Sequence, residues 1–189
     1  QIDRTLGIYF DRERETHFFA GEQQHPGTIY HEAVHQLFYE SSDAKRQLAV
    51  VANAWVTEGV ACYFESLETA GRRQNLVGAP GGGRLPAARH RLLVDNYYVP
   101  LAELSALGID ALQNRPDLPR LYSQSAGLAA FFMQSAGGER RDAFRELLAA
   151  VYAGRDDQGT LQRASGQRLV ELDRAYRQFL EALPPHAAQ

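Results

Sequence analysis

The spacing of apolar residues predicts a mainly helical chain with one small β-element near its start. Apolar positions recur at three- and four-residue intervals over residues 28–40 and 54–69, as in amphipathic helices. The same pattern predicts helices at 43–52, 87–95, 101–107, 120–137, 139–153 and 167–183. Residues 5–20 instead hold two β-rich runs around a charged turn, which predicts a β-hairpin. The expected fold class is α+β.

Two polar connections interrupt this pattern. Residues 71–86 are predicted to be the least ordered part, because 78–83 contain only Gly, Ala and Pro. Residues 114–119 predict a turn-rich connection. No internal repeat or domain boundary is visible, so we expect a single domain over residues 1–189. Because the chain begins with Gln1, we expect a mature form or a domain of a longer protein.

Composition and charge exclude several functional classes. The formal net charge of -3 over 189 residues argues against nucleic acid as a partner. No apolar run approaches the roughly 18 residues of a membrane-spanning helix, so we expect no such segment. The single cysteine, Cys62, excludes an internal disulfide and is expected to be a buried helix residue.

The chemistry that stands out is a motif in the first helix, His31-Glu32-Ala33-Val34-His35. Positions i and i+4 of a helix lie on the same face, so His31 and His35 can direct two imidazole nitrogens at one metal ion. Glu32 lies one residue further round the helix, where its carboxylate can act as a general base towards a water molecule. The motif therefore predicts a Zn²⁺ site.

A catalytic zinc site needs a third protein ligand, and the helix at 54–69 offers two acidic candidates. Glu58 is the leading candidate for that ligand. Glu65 lies two turns further along the same helix face and can accept a hydrogen bond from a ligating imidazole.

These two segments together resemble the gluzincin metallopeptidases, of the broad peptidase-MA-like group. The second motif of that family is filled at every fixed position, by Trp55, Glu58, Gly59, Ala61, Tyr63 and Glu65. The resemblance implies that His31, His35 and Glu58 bind zinc and that Glu32 is the general base. The chain departs from the family in one respect, since the 22 residues between His35 and Glu58 slightly exceed the familiar spacing.

The resemblance also implies a fold and a function. The expected fold is zincin-like, with the small N-terminal β-element packed on the zinc helix and a mostly helical remainder. The expected activity is zinc-dependent hydrolysis of a peptide or protein substrate, which pairs with the edge of the hairpin. A tyrosine of a later helix donates to the reacting carbonyl in the family, and here it corresponds to Tyr122. An extracytoplasmic location is favoured by this resemblance alone.

The residues leave several alternatives open. The alternative is a catalytically silent zinc-binding interaction or scaffold domain of the same fold, although the intact Glu32 argues against it. Tyr30, Tyr97 and Tyr98 are alternatives to Tyr122 as the donor. The upstream G-x-M-E-N motif of the aminopeptidase branch is missing, and the sequence does not decide between endo- and exopeptidase activity.

Overall fold

The structure is a computed structural model, and it describes residues 6–18, 26–42, 48–70 and 74–184. Helices dominate these ranges, with two short antiparallel hairpins beside them, so the predicted α+β class is confirmed. The strands are β1 Gly7–Phe10, β2 Glu15–Phe18, β3 Glu68–Ala70 and β4 Gln74–Leu76. The helices are α1 Pro26–Ser41, α2 Ala54–Phe64, α3 Leu85–Leu93, α4 Leu101–Leu104, α5 Ile109–Gln113, α6 Leu118–Gln134, α7 Arg141–Tyr152, α8 Thr160–Ser165 and α9 Leu169–Ala182. A 3₁₀ turn, Ser135–Gly138, follows α6.

The predicted N-terminal hairpin is confirmed over residues 6–18, while residues 5, 19 and 20 of the prediction lie outside the described residues. The hairpin lies directly on α1. Strands β1 and β2 pair antiparallel, with Gly7 opposite Phe18 and Phe10 opposite Glu15. A Cβ atom on Gly7 would lie only 2.9 Å from both Thr28 Cγ2 and Glu32 Cγ. The absence of a side chain at Gly7 therefore allows the hairpin backbone to approach the first turns of α1.

The core is built around α2, which is buried on all sides from residue 54 to residue 63. A helix that is apolar all round belongs at the centre of a fold. Its closest neighbour is α6, and a Cβ atom on Gly59 would lie 2.8 Å from the Ser125 backbone oxygen. Trp55 of α2 stacks on Phe132 of α6 and Phe144 of α7, with ring centroids 6.4 and 6.3 Å away. The second predicted site helix is thus held rigidly.

The predicted helix at 43–52 is wrong in its described part, while its first five residues lie outside the described residues. Residues 48–52 form turns and bends. Ala49 has φ +50° and Asn53 has φ +52°, and these left-handed conformations cannot continue a right-handed helix. The Ala49 oxygen instead accepts a hydrogen bond from the backbone N–H of Ile109, at 2.8 Å. The segment is therefore fixed against α5.

The second site helix is shorter than predicted. It ends at Phe64 rather than at residue 69, and Glu68–Ala70 pairs with Gln74–Leu76 as a second hairpin. Glu65 consequently lies just beyond the last turn of α2. Its backbone N–H still donates to Ala61, at 3.2 Å, so the helical direction continues to this residue.

The glycine-rich segment 78–83 is packed rather than loose, which corrects the predicted lack of order for this part of residues 71–86, while residues 71–73 lie outside the described residues. Gly78 N–H donates to Ser66 Oγ at 2.7 Å, and Gln134 Nε2 donates to the Gly78 oxygen at 2.7 Å. Gly78 has φ +77°, a conformation that favours glycine. The predicted disorder came from composition, which carries no information about these distant partners.

The remaining helices are confirmed with shifted ends, and two short helices were not predicted. Helices α3, α6, α7 and α9 begin and end within three residues of their predicted bounds, and α4 ends three residues early. Helices α5 and α8 have only five and six residues, too few to show a clear apolar period. No helix in the described ranges combines the length and apolar character needed to cross a membrane.

Candidate metal centre

The two histidines of α1 meet as the sequence predicts. Their Nε2 atoms lie 3.1 Å apart, and the ring planes are inclined by 71°. His31 is buried and His35 is half-buried, so both rings lie at the floor of a cleft rather than on an exposed helix face. Both lone-pair nitrogens can therefore face one point.

Helix α2 brings Glu58 to the same point. Glu58 Oε2 lies 3.5 Å from His31 Nε2 and 3.7 Å from His35 Nε2. A tetrahedral zinc ion with bonds of about 2.0–2.1 Å holds its ligand atoms about 3.3 Å apart. The three observed separations bracket that value, so these donors fit a tetrahedral ion in type and in spacing.

Glu65 occupies the supporting position predicted for it. Its Oε1 atom lies 2.8 Å from His31 Nδ1. Because an ionised carboxylate can only accept hydrogen bonds, His31 Nδ1 carries a proton, and Nε2 is the ring nitrogen that faces His35 and Glu58 and can bind a metal ion. Metal-binding histidines are commonly oriented by such a carboxylate.

Cys62 lies close to this pair without being well suited as a ligand. Its Sγ atom is 3.8 Å from His31 Nδ1, and His31, Cys62 and Glu65 form a second group with metal-ligating atoms. Burial raises the pKa of the Cys62 thiol to about 11, and a metal would need the thiolate. The Nδ1 atom of His31 is also already engaged by Glu65. The donor set of His31, His35 and Glu58 is therefore the better one.

The Glu58 and His31 side chains shift each other's pKa. Burial acts to raise the pKa of Glu58, but hydrogen bonds with His31 and His35 outweigh it and hold the pKa below its ordinary value. Burial acts to lower the pKa of His31, but contacts with Cys62, Glu58 and Glu65 outweigh it and raise the pKa to about 12. The carboxylates thus favour a positive charge at His31, which a divalent cation bound to Nε2 would supply in place of a proton.

Glu32 lies beside this group and is held by the hairpin. Its carboxylate accepts a hydrogen bond from the backbone of Tyr9 on β1. Burial raises the pKa of Glu32, although the neighbouring His31 and His35 act in the opposite direction. A carboxylate with a raised pKa that faces a cleft is suited to accept a proton.

These side chains line a cleft of about 590 Å³ between the hairpin, α1, α2, α5 and α7. The walls combine polar and aromatic groups. The lining residues are Gly7, Ile8, Tyr9, Asp11, His31, Glu32, His35, Tyr39, Leu48, Thr57, Glu58, Ile109, Asp110, Gln113, Asn114, Tyr122 and Tyr152. The cleft is large enough for part of an extended peptide chain.

Residues 26–94 are similar to the family described as "Protein of unknown function (DUF1570)". No curated protein and no solved structure matches the chain. The DUF1570-like segment runs from α1 to α3, so it contains both histidines, Glu32, Glu58 and Glu65. The rest of the cleft wall, from α5 onward and in the hairpin, lies outside it.

Tyr122 lies on the cleft wall, in contrast to its three alternatives. Its hydroxyl accepts a hydrogen bond from Gln113 Nε2 at 3.1 Å, and the same amide lies 3.5 Å from Glu58 Oε1. Burial and the nearby Glu58 carboxylate raise the pKa of Tyr122, so the phenol stays neutral. The hydroxyls of Tyr97 and Tyr98 bind Asp117 and Asp173 instead. Neither these two tyrosines nor Tyr30 lines the cleft.

Sequence reasoning missed four residues of this site. Gln113 belongs to α5, which was not predicted, and Arg84 follows the glycine-rich segment. Tyr9 and Tyr152 line the cleft as further phenols, and burial raises the pKa of each. Only Tyr9 could have been predicted to lie near the site, because the family resemblance places the hairpin that contains it beside the cleft.

Proposed function

We propose that this protein is a zinc-dependent peptidase of the gluzincin type, which hydrolyses peptide bonds in the cleft beside α1. The observation that carries the proposal is the convergence of His31, His35 and Glu58 within 3.7 Å of one another, with Glu32 beside them. Three nitrogen and oxygen donors that leave one side open to a cleft are typical of catalytic rather than structural zinc.

His31, His35 and Glu58 would hold the ion. Bound zinc would polarise the substrate carbonyl and lower the pKa of a water molecule in the cleft. Glu32 accepts a proton from the attacking water and then delivers it to the amine that leaves when the C–N bond breaks. Glu32 lines the cleft beside the two histidines, where it can reach a water molecule bound there.

Strand β1 offers a binding edge for the substrate. Ile8 and Tyr9 line the cleft, and β1 pairs with β2 on one side only, so no other described strand covers its second edge. An extended peptide can pair with such an edge through backbone hydrogen bonds, while its side chains enter the cleft. This arrangement favours peptide and protein substrates over compact metabolites.

The test is incubation of the full chain with a diverse peptide pool, with and without a metal chelator. We expect cleavage that chelation stops and that added Zn²⁺ restores, with about one zinc per chain by elemental analysis. Mass spectrometry of the products would also separate endo- from exopeptidase activity. Stoichiometric zinc without any cleavage would support the silent scaffold instead.

Replacement of Tyr122 by Phe tests the predicted oxyanion donor. The phenol can donate to the substrate oxygen as negative charge develops there, and loss of one such donor costs about 2.7–4 kcal/mol in the transition state. We therefore expect kcat to fall by about 10²–10³, with zinc content and KM little changed.

The matched control for this variant is Tyr97→Phe, because the Tyr97 hydroxyl binds Asp117 and does not line the cleft. Steady-state kinetics on one peptide compares the two variants. An equal kcat in wild type and Tyr122→Phe would contradict the assignment and direct attention to Tyr9 and Tyr152.

A further inference from the structure

A guanidinium group approaches the metal centre from the side opposite the cleft. Arg84 follows the glycine-rich segment and immediately precedes α3. Its Nε atom donates to Glu65 Oε2 at 2.7 Å, and the Glu65 side chain is only 14% exposed. Arg84 cannot be a metal ligand, since a guanidinium has no free lone pair to offer.

The Glu65 carboxylate is divided between two partners. Oε1 binds His31 Nδ1 at 2.8 Å and Oε2 binds Arg84 Nε at 2.7 Å. A carboxylate is planar, so engagement of both oxygens fixes its rotation as well as its position. The orientation of the His31 ring therefore depends on Arg84 through Glu65.

The backbone that carries Arg84 is itself fixed against the end of α2. Gly78 N–H donates to Ser66 Oγ at 2.7 Å, next to Glu65 in the chain. A Cβ atom on Gly83 would lie 2.9 Å from Ser66 Cβ, and Gly83 has φ +56°. Both ends of the short segment 78–83 thus contact the residue that follows Glu65, which holds Arg84 at a set distance from the carboxylate.

A second contact ties the same guanidinium to the cleft wall. Arg84 Cζ lies 5.6 Å from the centre of the Tyr122 ring, within the range of a cation–π interaction. The Arg84 guanidinium therefore contacts both Glu65, which binds the metal ligand His31, and Tyr122, the predicted oxyanion donor on α6.

We propose that Arg84 is a positioning residue that orients His31 by holding Glu65, and so sets the affinity of the site for its metal. The proposal rests on the zinc site of the proposed function. It assigns a role to the glycine-rich segment, which presents Arg84 at the rear of the metal centre.

The experiment measures Zn²⁺ affinity of the full chain by competition with a chromogenic chelator, with the metal alone as the probe. Replacement of residues that orient a metal ligand typically weakens metal binding about 10–100-fold. We expect a loss of zinc affinity in this range for Arg84→Gln. Arg84→Lys should recover part of the loss, because an ammonium can still bind Oε2. The double variant with Glu65→Gln should bind no more weakly than Glu65→Gln alone, because Arg84 acts through Glu65.

The control is Arg168→Gln, which removes an exposed arginine–glutamate pair at the start of α9, where Arg168 immediately precedes the helix and lies 2.6 Å from Glu171. Its zinc affinity should equal that of the wild type. Unchanged affinity in Arg84→Gln, or additive losses in the double variant, would overturn the inference while leaving the zinc site intact. Absence of zinc binding in the wild type would overturn the proposed function, and the inference with it.

Discussion

Replacement of Glu32 by Gln is expected to abolish measurable peptide hydrolysis while zinc content and fold are retained. General acid–base catalysis contributes about 10²–10⁴ to the rate, and Gln cannot accept the proton. The change is nearly isosteric, and the Gln oxygen can still accept the hydrogen bond that the Tyr9 backbone gives to Glu32. Glu32 is not one of the three metal-binding side chains, so the donor set of His31, His35 and Glu58 is unchanged, and the replacement also removes a negative charge that repels Glu58.

The matched control is Glu40→Gln on the same helix. Glu40 is exposed, binds Gln36 at 2.9 Å and does not line the cleft. Peptide cleavage by each variant, followed by mass spectrometry and normalised to zinc content, makes the comparison. A Glu32→Gln protein as fast as the Glu40→Gln control would show that another residue is the base.

Those parts of the site that depend on local geometry were accessible from the sequence. The i, i+4 spacing of His31 and His35 fixes their common face once a helix forms, and α1 does form. Glu58 and Glu65 share a face of α2 for the same reason, even though the helix ends just before Glu65. The sequence therefore predicted that these four side chains lie close together. The structure adds the distances among His31, His35 and Glu58, which fit a tetrahedral ion.

The residues that contact Glu58 and Glu65 from other parts of the chain could not be predicted from the sequence, because long-range packing places them at the site. Gln113 reaches Glu58 from a five-residue helix with no usable apolar period. Arg84 reaches Glu65 only because Ser66 and Gln134 hold the glycine-rich segment. Composition alone made that segment look disordered, since Gly and Pro are common in loose loops and in tightly packed ones.

The incorrect helix at 43–52 has a different cause. Leu48, Val51 and Ala52 have helical spacing, yet Ala49 adopts φ +50°. A left-handed alanine has no sequence signature, and its conformation is stabilised by the backbone contact with Ile109. Tertiary structure thus overrides local preference at the one connection that lies between the two site helices.

Removal of a histidine ligand is expected to have the largest effect on the metal. His35→Ala takes away one of three donors but leaves the Glu65–His31 pair untouched, so the chain should still fold. His31→Ala also removes a hydrogen-bond partner from half-buried Glu65, so a lower melting temperature is expected as well. Loss of a residue that only supports a metal ligand weakens binding by about 100-fold at most. Zinc affinity should fall further than this in both histidine variants, because each loses a ligand.

Elemental analysis and thermal unfolding check this result together. Zinc that binds only the folded chain stabilises it by about 2.7 kcal/mol at one hundred times its Kd, so added Zn²⁺ should raise the wild-type Tm and leave the variants unchanged. His90→Ala is the matched control, because His90 is exposed on α3 and does not line the cleft. Full zinc content in both His31→Ala and His35→Ala would end the zinc proposal. Glu58→Ala should also weaken binding, and unchanged binding there would show that Glu58 is not the third ligand.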